Sequence, residues 1–284
     1  MPRPHGISKR SARYARAVEF SRGLVETSGY ERPGFAVTYD RFRPRPPPAL
    51  LDMLCRYART ERPALVVDLG CGTGLSTRAW SGVAQRVIGI EPNAAMISAA
   101  APAPGVEYRH AYAQETGLDD GVADIVTCSQ SLHWMEPGPT FAEAARVLRP
   151  GGVFAAYDYD WPPAIDPEVD EAFCAYQGRR GDVRRRRGIQ RGGDVWSKEE
   201  HLERMRASGL FRYCRELVLH SLENGDPDRI VGFARSLGLP VADLDGAGLE
   251  SELRLDELEA VARRVLGDRT VPFLFGYRVR AAIV

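Results

Sequence analysis

Leu65-Val66-Val67-Asp68-Leu69-Gly70-Cys71-Gly72-Thr73-Gly74 is the stretch on which the fold turns. Its first half is a short β-branched apolar run, the pattern of a strand buried inside a parallel sheet. Glycines then stand at alternate positions, Gly70, Gly72 and Gly74, and residues from Leu75 onward suit a helix. Strand, glycine turn and helix together let backbone approach a ligand closely, because no Cβ stands in the way.

Spacing narrows the choice of ligand. A dinucleotide fingerprint reads Gly-x-Gly-x-x-Gly, whereas here the order is Gly-x-Gly-x-Gly and Leu75 falls where the third dinucleotide glycine would stand. Asp68, at the strand end, would repel a pyrophosphate and suits a ligand carrying an ammonium group. The next apolar run, 87–90, closes on Glu91, 21 residues after Gly70. That is near the roughly 20-residue offset at which an acid holds ribose hydroxyls in a βαβ unit. The two acids together describe a nucleoside that carries an ammonium group.

Outward from this stretch, strands and helices alternate. The pattern predicts strands over 65–69, 87–90, 106–108, 125–128 and 153–157, with helices over 75–81, 94–99 and 140–148. This is a doubly wound, mostly parallel sheet, with ligands expected at the carboxyl ends of its strands. The chain has 284 residues, is 44% hydrophobic and has a formal net charge of zero. No global field draws it to nucleic acid or to an anionic membrane. Its cysteines, Cys55, Cys71, Cys128, Cys174 and Cys214, are widely spaced without a Cys-x-x-Cys, so neither a disulfide framework nor a metal site is expected. The N-terminus lacks an apolar signal core and no run nears 18 apolar residues, which predicts an untargeted cytoplasmic protein.

With these residues in hand, a resemblance emerges. Val67–Gly74, followed by Gly89-Ile90-Glu91-Pro92-Asn93, resembles the cofactor site of class I S-adenosylmethionine-dependent methyltransferases. Ser129-Gln130-Ser131-Leu132-His133-Trp134-Met135 resembles the exit of strand four in the branch that contains trans-aconitate methyltransferase. Arg146-Val147-Leu148-Arg149-Pro150-Gly151-Gly152 is similar to the turn before strand five in the same superfamily. The resemblance spans residues 36–160 and is weaker elsewhere. It implies a Rossmann-like methyltransferase fold of seven strands and S-adenosyl-L-methionine as the cofactor.

Roles follow from the resemblance. Asp68 and the turn Gly70, Cys71, Gly72, Thr73 and Gly74 would hold the amino-acid end of the cofactor, and Glu91 its ribose hydroxyls. Pro92 belongs to the same cofactor-binding turn as Glu91, and Asn93 and Met96 would border the adenine, with core packing the alternative for Met96. Tyr112 stands where an acid usually recognises the adenine amine, leaving the backbone of Ala113 or the side chain of Gln114 for that task. Ser129, Gln130, His133 and Trp134 would lie beside the sulfonium. Tyr39 and Arg43 would approach the methionine end, or else pack an N-terminal arm onto the core. A phenol or alcohol acceptor needs a base, for which His133 is the candidate; a carboxylate needs only cations. The alternative for His133 is a structural role in its loop. The basic run from Arg179 to Arg191 is either a solvated patch or a clamp for an anionic acceptor.

Beyond residue 158 the reading is architectural. Asp158 to Pro163 is expected to line the pocket mouth, Ser197 and Glu200 to form a capping box for a helix to Ala207, and 12–25, 168–177, 227–237 and 256–266 to be helical. Strands are expected over 211–219 and 273–283. The domains are then an arm (1–48), a cofactor-binding core (49–159), a helical cap built from insertions (160–198 and 222–270), and core elements at 199–221 and 271–284. The expected function is methyl transfer to a small-molecule acceptor, oxygen preferred, by a monomer or homodimer without metal, nucleic-acid or membrane partners. Two other readings compete: a nicotinamide-dependent oxidoreductase on a related sheet, and a cofactor-binding protein without methyl transfer.

Overall fold

A computed structural model of the protein describes residues 34–188, 196–237 and 246–284. The helix expected over 12–25 lies outside them. A sheet of seven strands organises the rest. The strands are β1 (Leu65–Leu69), β2 (Arg86–Glu91), β3 (Val106–His110), β4 (Ala123–Ser129), β5 (Leu148–Tyr159), β6 (Tyr213–Gly225) and β7 (Val271–Ile283). Their spatial order is β3-β2-β1-β4-β5-β7-β6. Strands β1 to β5 run parallel, while β7 pairs antiparallel with both β5 and β6. The order reverses between β1 and β4, and a ligand crevice opens at such a switch point.

The helices of the parallel half are α1 (Phe35–Phe42), α2 (Pro48–Tyr57), α3 (Leu75–Ala79), α4 (Ala94–Ser98) and α5 (Pro137–Val147). All of β1 is buried, Asp68 included, as suits a central strand of a parallel sheet. Leu54, Val66 and Trp80 belong to one apolar layer of the core, and Val67, Ile88, Phe141 and Phe154 to another.

The second half adds α6 (Pro167–Arg186), α7 (His201–Ala207), α8 (Pro227–Arg235), α9 (Gly246–Leu253) and α10 (Leu255–Leu266). Asp166 and Asp226 cap α6 and α8 by accepting from backbone N–H groups of Glu168 and Arg229, each with a proline in the first turn. Helix α6 packs on α9 and α10, and its Tyr176 hydroxyl donates to the carbonyl of Ala234 on α8 at 3.0 Å. Phe173 and Phe233 stack between them, and Phe233 also meets Phe275 of β7 edge-on.

Three expectations are corrected. Helix α6 does not stop near Gln177 but runs on through Gly178 and Gly181, so most of the basic stretch is helical. Four arginines of that stretch pair with neighbouring acids: Arg179 with Glu257, Arg185 with Asp182, and Arg186 and Arg187 with Glu252. The capping box at Ser197 does not form. Helix α7 begins only at His201, and the Ser197 hydroxyl donates to Glu199 instead of to the backbone. Helix α9 was unannounced, because two glycines among its first three residues weaken the helical pattern.

Candidate functional site

The carboxyl ends of β1, β2 and β4 open onto a cavity of about 1020 Å³, counting its mouth. Gly70, Cys71 and Gly72 form its floor, Glu91, Pro92, Asn93 and Met96 one wall, and Ser129, Gln130 and Trp134 another. Tyr112, Ala113 and Gln114 lie at one end, and Tyr39 and Arg43 reach in from the N-terminal arm. Asp68, Thr73, Gly74 and His133 are not among the lining residues.

The floor is shaped by backbone that only glycine adopts readily. Gly70, Gly72 and Gly74 have φ of 67°, 56° and 78°. A Cβ on Gly70 would stand 2.6 Å from Ser131 Cβ, and one on Gly74 would stand 2.2 Å from the Tyr108 hydroxyl.

Asp68 stands behind this floor and is fully buried. Its Oδ2 accepts from Ser76 Oγ (2.6 Å) and Thr77 Oγ1 (2.8 Å), and its Oδ1 from Thr127 Oγ1 (2.8 Å). Thr127 is level with Asp68 in the β1–β4 register. The carboxylate therefore ties the first turn of α3 to β4 and holds the glycine turn between them. Burial raises its pKa, and the three hydroxyl donors act against that rise.

Glu91, by contrast, faces the cavity. Its Oε2 accepts from the Gly72 N–H and its Oε1 from the Asn93 N–H, both at 2.9 Å. Each oxygen keeps a lone pair, the arrangement a vicinal diol needs. Burial pushes its pKa up to about 7, against the pull of those two N–H groups. Asn93 caps α4 with its Oδ1, accepting from Ala95 and Met96. Its Nδ2 is buried at the cavity wall with no hydrogen-bond partner among the described residues. An orphaned donor beside a carboxylate with spare lone pairs fits a nucleoside rich in acceptors and hydroxyls.

The arm is fastened at both ends. Asp40 Oδ1 accepts from Thr73 Oγ1 (3.0 Å) and pairs with Arg78 Nη2 (2.5 Å), and Arg78 Nη1 also donates to the Thr73 carbonyl (2.6 Å). At the other end, Phe42 lies on Gly232 of α8, where a Cβ would stand 2.5 Å from its ring. Arg43 donates to the hydroxyl and carbonyl of Ser236 and to the Tyr159 hydroxyl, each at 2.8 Å. Its guanidinium lies over the rings of Tyr39, Trp161 and Phe233. Arg43 thus packs the arm and also lines the cavity.

His133 sits beside Trp134 in the short 3₁₀ turn Leu132–Trp134, its Nδ1 4.0 Å from Asp158 Oδ1. Asp158, at the end of β5, is buried and paired with Lys198 (2.9 Å) and Arg280 (3.1 Å). Of the 158–163 loop only Tyr159 reaches the cavity lining. None of Arg179 to Arg187 lines the cavity. The lining residues missed from sequence include Pro44, Pro46, Tyr112 and Met135, whereas Tyr159 belongs to the stretch expected at the pocket mouth. Met135 closes the motif that starts at Ser129, and Tyr112 adjoins Ala113 and Gln114, which was a usable signal for both.

Comparison with known proteins places this geometry. The methyltransferase domain family of type 11 matches residues 67–156. An uncharacterized methyltransferase of Mycobacterium tuberculosis (strain ATCC 25618 / H37Rv) is 36% identical over 115 residues, 40% of this chain and 46% of that protein. The ubiquinone biosynthesis O-methyltransferase of Aromatoleum aromaticum is 29% identical over 167 residues, 56% of this chain and 64% of that protein. A solved structure from Anaeromyxobacter dehalogenans, provisionally named a type II methyltransferase, aligns with a TM-score of 0.64 at 26% identity, over 85% of this chain and 98% of that one. The chain spans about half the length of the first curated relatives it matches. Among the described residues no helix is long and apolar enough to cross a membrane. Sheet order, glycine turn and matched domain agree: the chain carries, on a class I S-adenosylmethionine-dependent methyltransferase fold, a methyltransferase domain of the type 11 branch.

Proposed function

We propose that this protein transfers a methyl group from S-adenosyl-L-methionine to an oxygen of a small-molecule acceptor. The observation that carries the cofactor assignment is Glu91, an acid at the cavity wall whose two oxygens are oriented by backbone N–H groups and retain lone pairs for a ribose diol. Asn93 Nδ2 is the donor beside it, Met96 borders the base, and the turn from Gly70 to Gly72 lies under the amino-acid end. The adenine amine is met by the backbone of Ala113 or the side chain of Gln114, both in the wall. When bound, the cofactor supplies an electrophilic methyl on a sulfonium, which reacts by in-line displacement.

The chain's own residues have to hold the acceptor oxygen in line at roughly 3–3.5 Å. Tyr39, Trp134 and Tyr159 wall the remaining space with rings, and Pro44 and Pro46 stiffen its edge, which supports a small planar acceptor. His133 lies outside the lining, so we assign it to loop support and assign the acceptor a form that needs no base, a carboxylate or a phenolate. The O-methyltransferase relative from Aromatoleum aromaticum supports the preference for oxygen.

The sheet disfavours the oxidoreductase reading. A dinucleotide-binding sheet has the order 3-2-1-4-5-6, whereas here β7 is inserted antiparallel between β5 and β6. Isothermal titration with S-adenosylhomocysteine tests the proposal. Micromolar binding is expected, weakened roughly tenfold or more by Glu91→Ala, the loss of hydrogen bonds to a charged acceptor. No heat at millimolar ligand would overturn it.

A further inference from the structure

We propose that Lys198 sets the acceptor specificity of this site, by fixing the side-chain amide of Gln130 so that the cavity wall offers a hydrogen-bond donor and not an acceptor. The inference rests on the methyltransferase reading above and extends it to the class of acceptor.

Gln130 lines the cavity at the exit of β4, with φ at 53°, a conformation uncommon for a residue with a side chain. Its backbone N–H donates to the Tyr157 carbonyl at 2.9 Å. An amide side chain can be turned end for end, so its partners decide what it presents. Here one partner can only accept and the other can only donate. Nε2 donates to the Tyr159 carbonyl at 3.0 Å, and Oε1 accepts from the Lys198 ammonium. Turning the amide over would set oxygen against carbonyl oxygen and NH₂ against ammonium. One N–H of Nε2 remains uncommitted among the described residues.

Lys198 is itself held in place. Its Nζ is 2.9 Å from Asp158 Oδ1 and lies over the Trp161 ring. Asp158 also pairs with Arg280, and Arg280 with Glu216. Two cations and two carboxylates balance, so what reaches the cavity is the direction of the amide more than a net charge. A cation on the amide oxygen also strengthens the N–H groups at its other end. Such a wall favours an oxygen with lone pairs and disfavours an amine or ammonium, whose own N–H groups would face it. With the rings of Tyr39, Trp134 and Tyr159 around it, the acceptor class is a planar apolar acid or phenol that presents an oxyanion.

Lys198 is one of two lysines in the chain and comes from the segment before α7, outside the residues matched by the methyltransferase family. Its role is one of positioning, since it acts through Gln130.

The test uses two probes of one shape and opposite hydrogen-bonding character, benzoate and benzylammonium. Each is titrated into full-length protein saturated with S-adenosylhomocysteine, with tryptophan fluorescence as the readout. Wild type is expected to bind benzoate about tenfold or more tightly than benzylammonium. Lys198→Met is expected to bring the two within about threefold by weakening benzoate, while Lys198→Arg, which can still donate to Oε1, keeps the preference. Gln130→Glu, which puts an acceptor in the wall, is expected to shift the preference toward benzylammonium. Melting curves establish that each variant is folded, and S-adenosylhomocysteine affinity is measured first on each. No binding of that nucleoside to wild type overturns the methyltransferase reading. Normal nucleoside binding with no benzoate preference in wild type, or with the preference unchanged in folded Lys198→Met, overturns the role of Lys198 alone.

Discussion

Glu91 and Asp68 are both buried acids at neighbouring strand ends, yet they serve differently, and their partners explain why. Asp68 is surrounded by hydroxyls from α3 and β4 and anchors the turn. Glu91 is oriented by backbone and open to the cavity. With its pKa near 7, the ionised fraction of Glu91 in the free protein falls from about 0.9 at pH 8 to about 0.1 at pH 6. If the diol needs the carboxylate, affinity for S-adenosylhomocysteine should drop about tenfold across that interval and stay flat in Glu91→Gln; titration calorimetry at both pH values checks it. The stability sign is opposite. The folded pKa lies above the ordinary carboxylate value, so the free protein binds this proton more tightly than the unfolded chain does. Glu91 should therefore make the free protein more stable to urea at pH 6 than at pH 8, a difference that Glu91→Gln removes. At Gly74, substitution by alanine combines a positive φ with a 2.2 Å approach to Tyr108, and should cost at least about 2 kcal/mol in urea unfolding. The glycine spacing and Glu91 were legible in the sequence, since offsets along one βαβ unit are local. The hydroxyl cage of Asp68 was not, because Thr127 reaches it from 59 residues away.

Among the elements, α1 is the one whose position matters most for the cavity. It rests on α8 through Phe42 and Gly232, and is tied to the glycine turn through Asp40, Thr73 and Arg78. The tie is a partly exposed ion pair, so its contribution to global stability is small, about 1 kcal/mol or less. Its effect on the ligand should be larger, because Tyr39 and Arg43 are carried on or next to that helix. Asp40→Ala should weaken S-adenosylhomocysteine binding about three- to tenfold while leaving the urea midpoint nearly unchanged; calorimetry and denaturation on the same sample separate the two effects. Strand ends and most helices could be read from periodicity and capping residues. The capping box at Ser197 could not be trusted, since that motif reports only what a serine can do locally. Here the Ser197 hydroxyl goes to Glu199, and Lys198 beside it goes to Asp158.

For the molecule as a whole, the buried ion group at β5, β6 and β7 joins the antiparallel edge to the cavity. Arg280 is 2% exposed and bridges Asp158 and Glu216. Its replacement by methionine leaves buried Asp158 paired with Lys198, leaves Glu216, a third exposed, without Arg280, and should cost about 1–3 kcal/mol. Adding Glu216→Gln, with Asp158 kept for Lys198, should recover part of that loss, because the carboxylate that paired with Arg280 alone among the described residues is then neutral; urea melts of the single and double variants decide it. The helices α6, α8 and α10 share an aromatic core with β7 around Phe173, Phe233 and Phe275. We propose that they act as one cap, which reaches the cavity through Ser236 behind Arg43.

What the amino-acid sequence determined by itself is the parallel half of the sheet, the glycine floor and the acid at the second strand end. Apolar periodicity, glycine spacing and a fixed offset within one unit are properties of nearby residues, and they survive without knowledge of the rest of the chain. Only the tertiary structure decided that Asp68 is caged, that Arg43 bonds to Ser236 193 residues on, and that Lys198 turns Gln130 from 68 residues away. Those pairings depend on where the antiparallel edge and its inserted helices come to rest. A hydrogen bond between distant residues leaves no periodic mark on either of them.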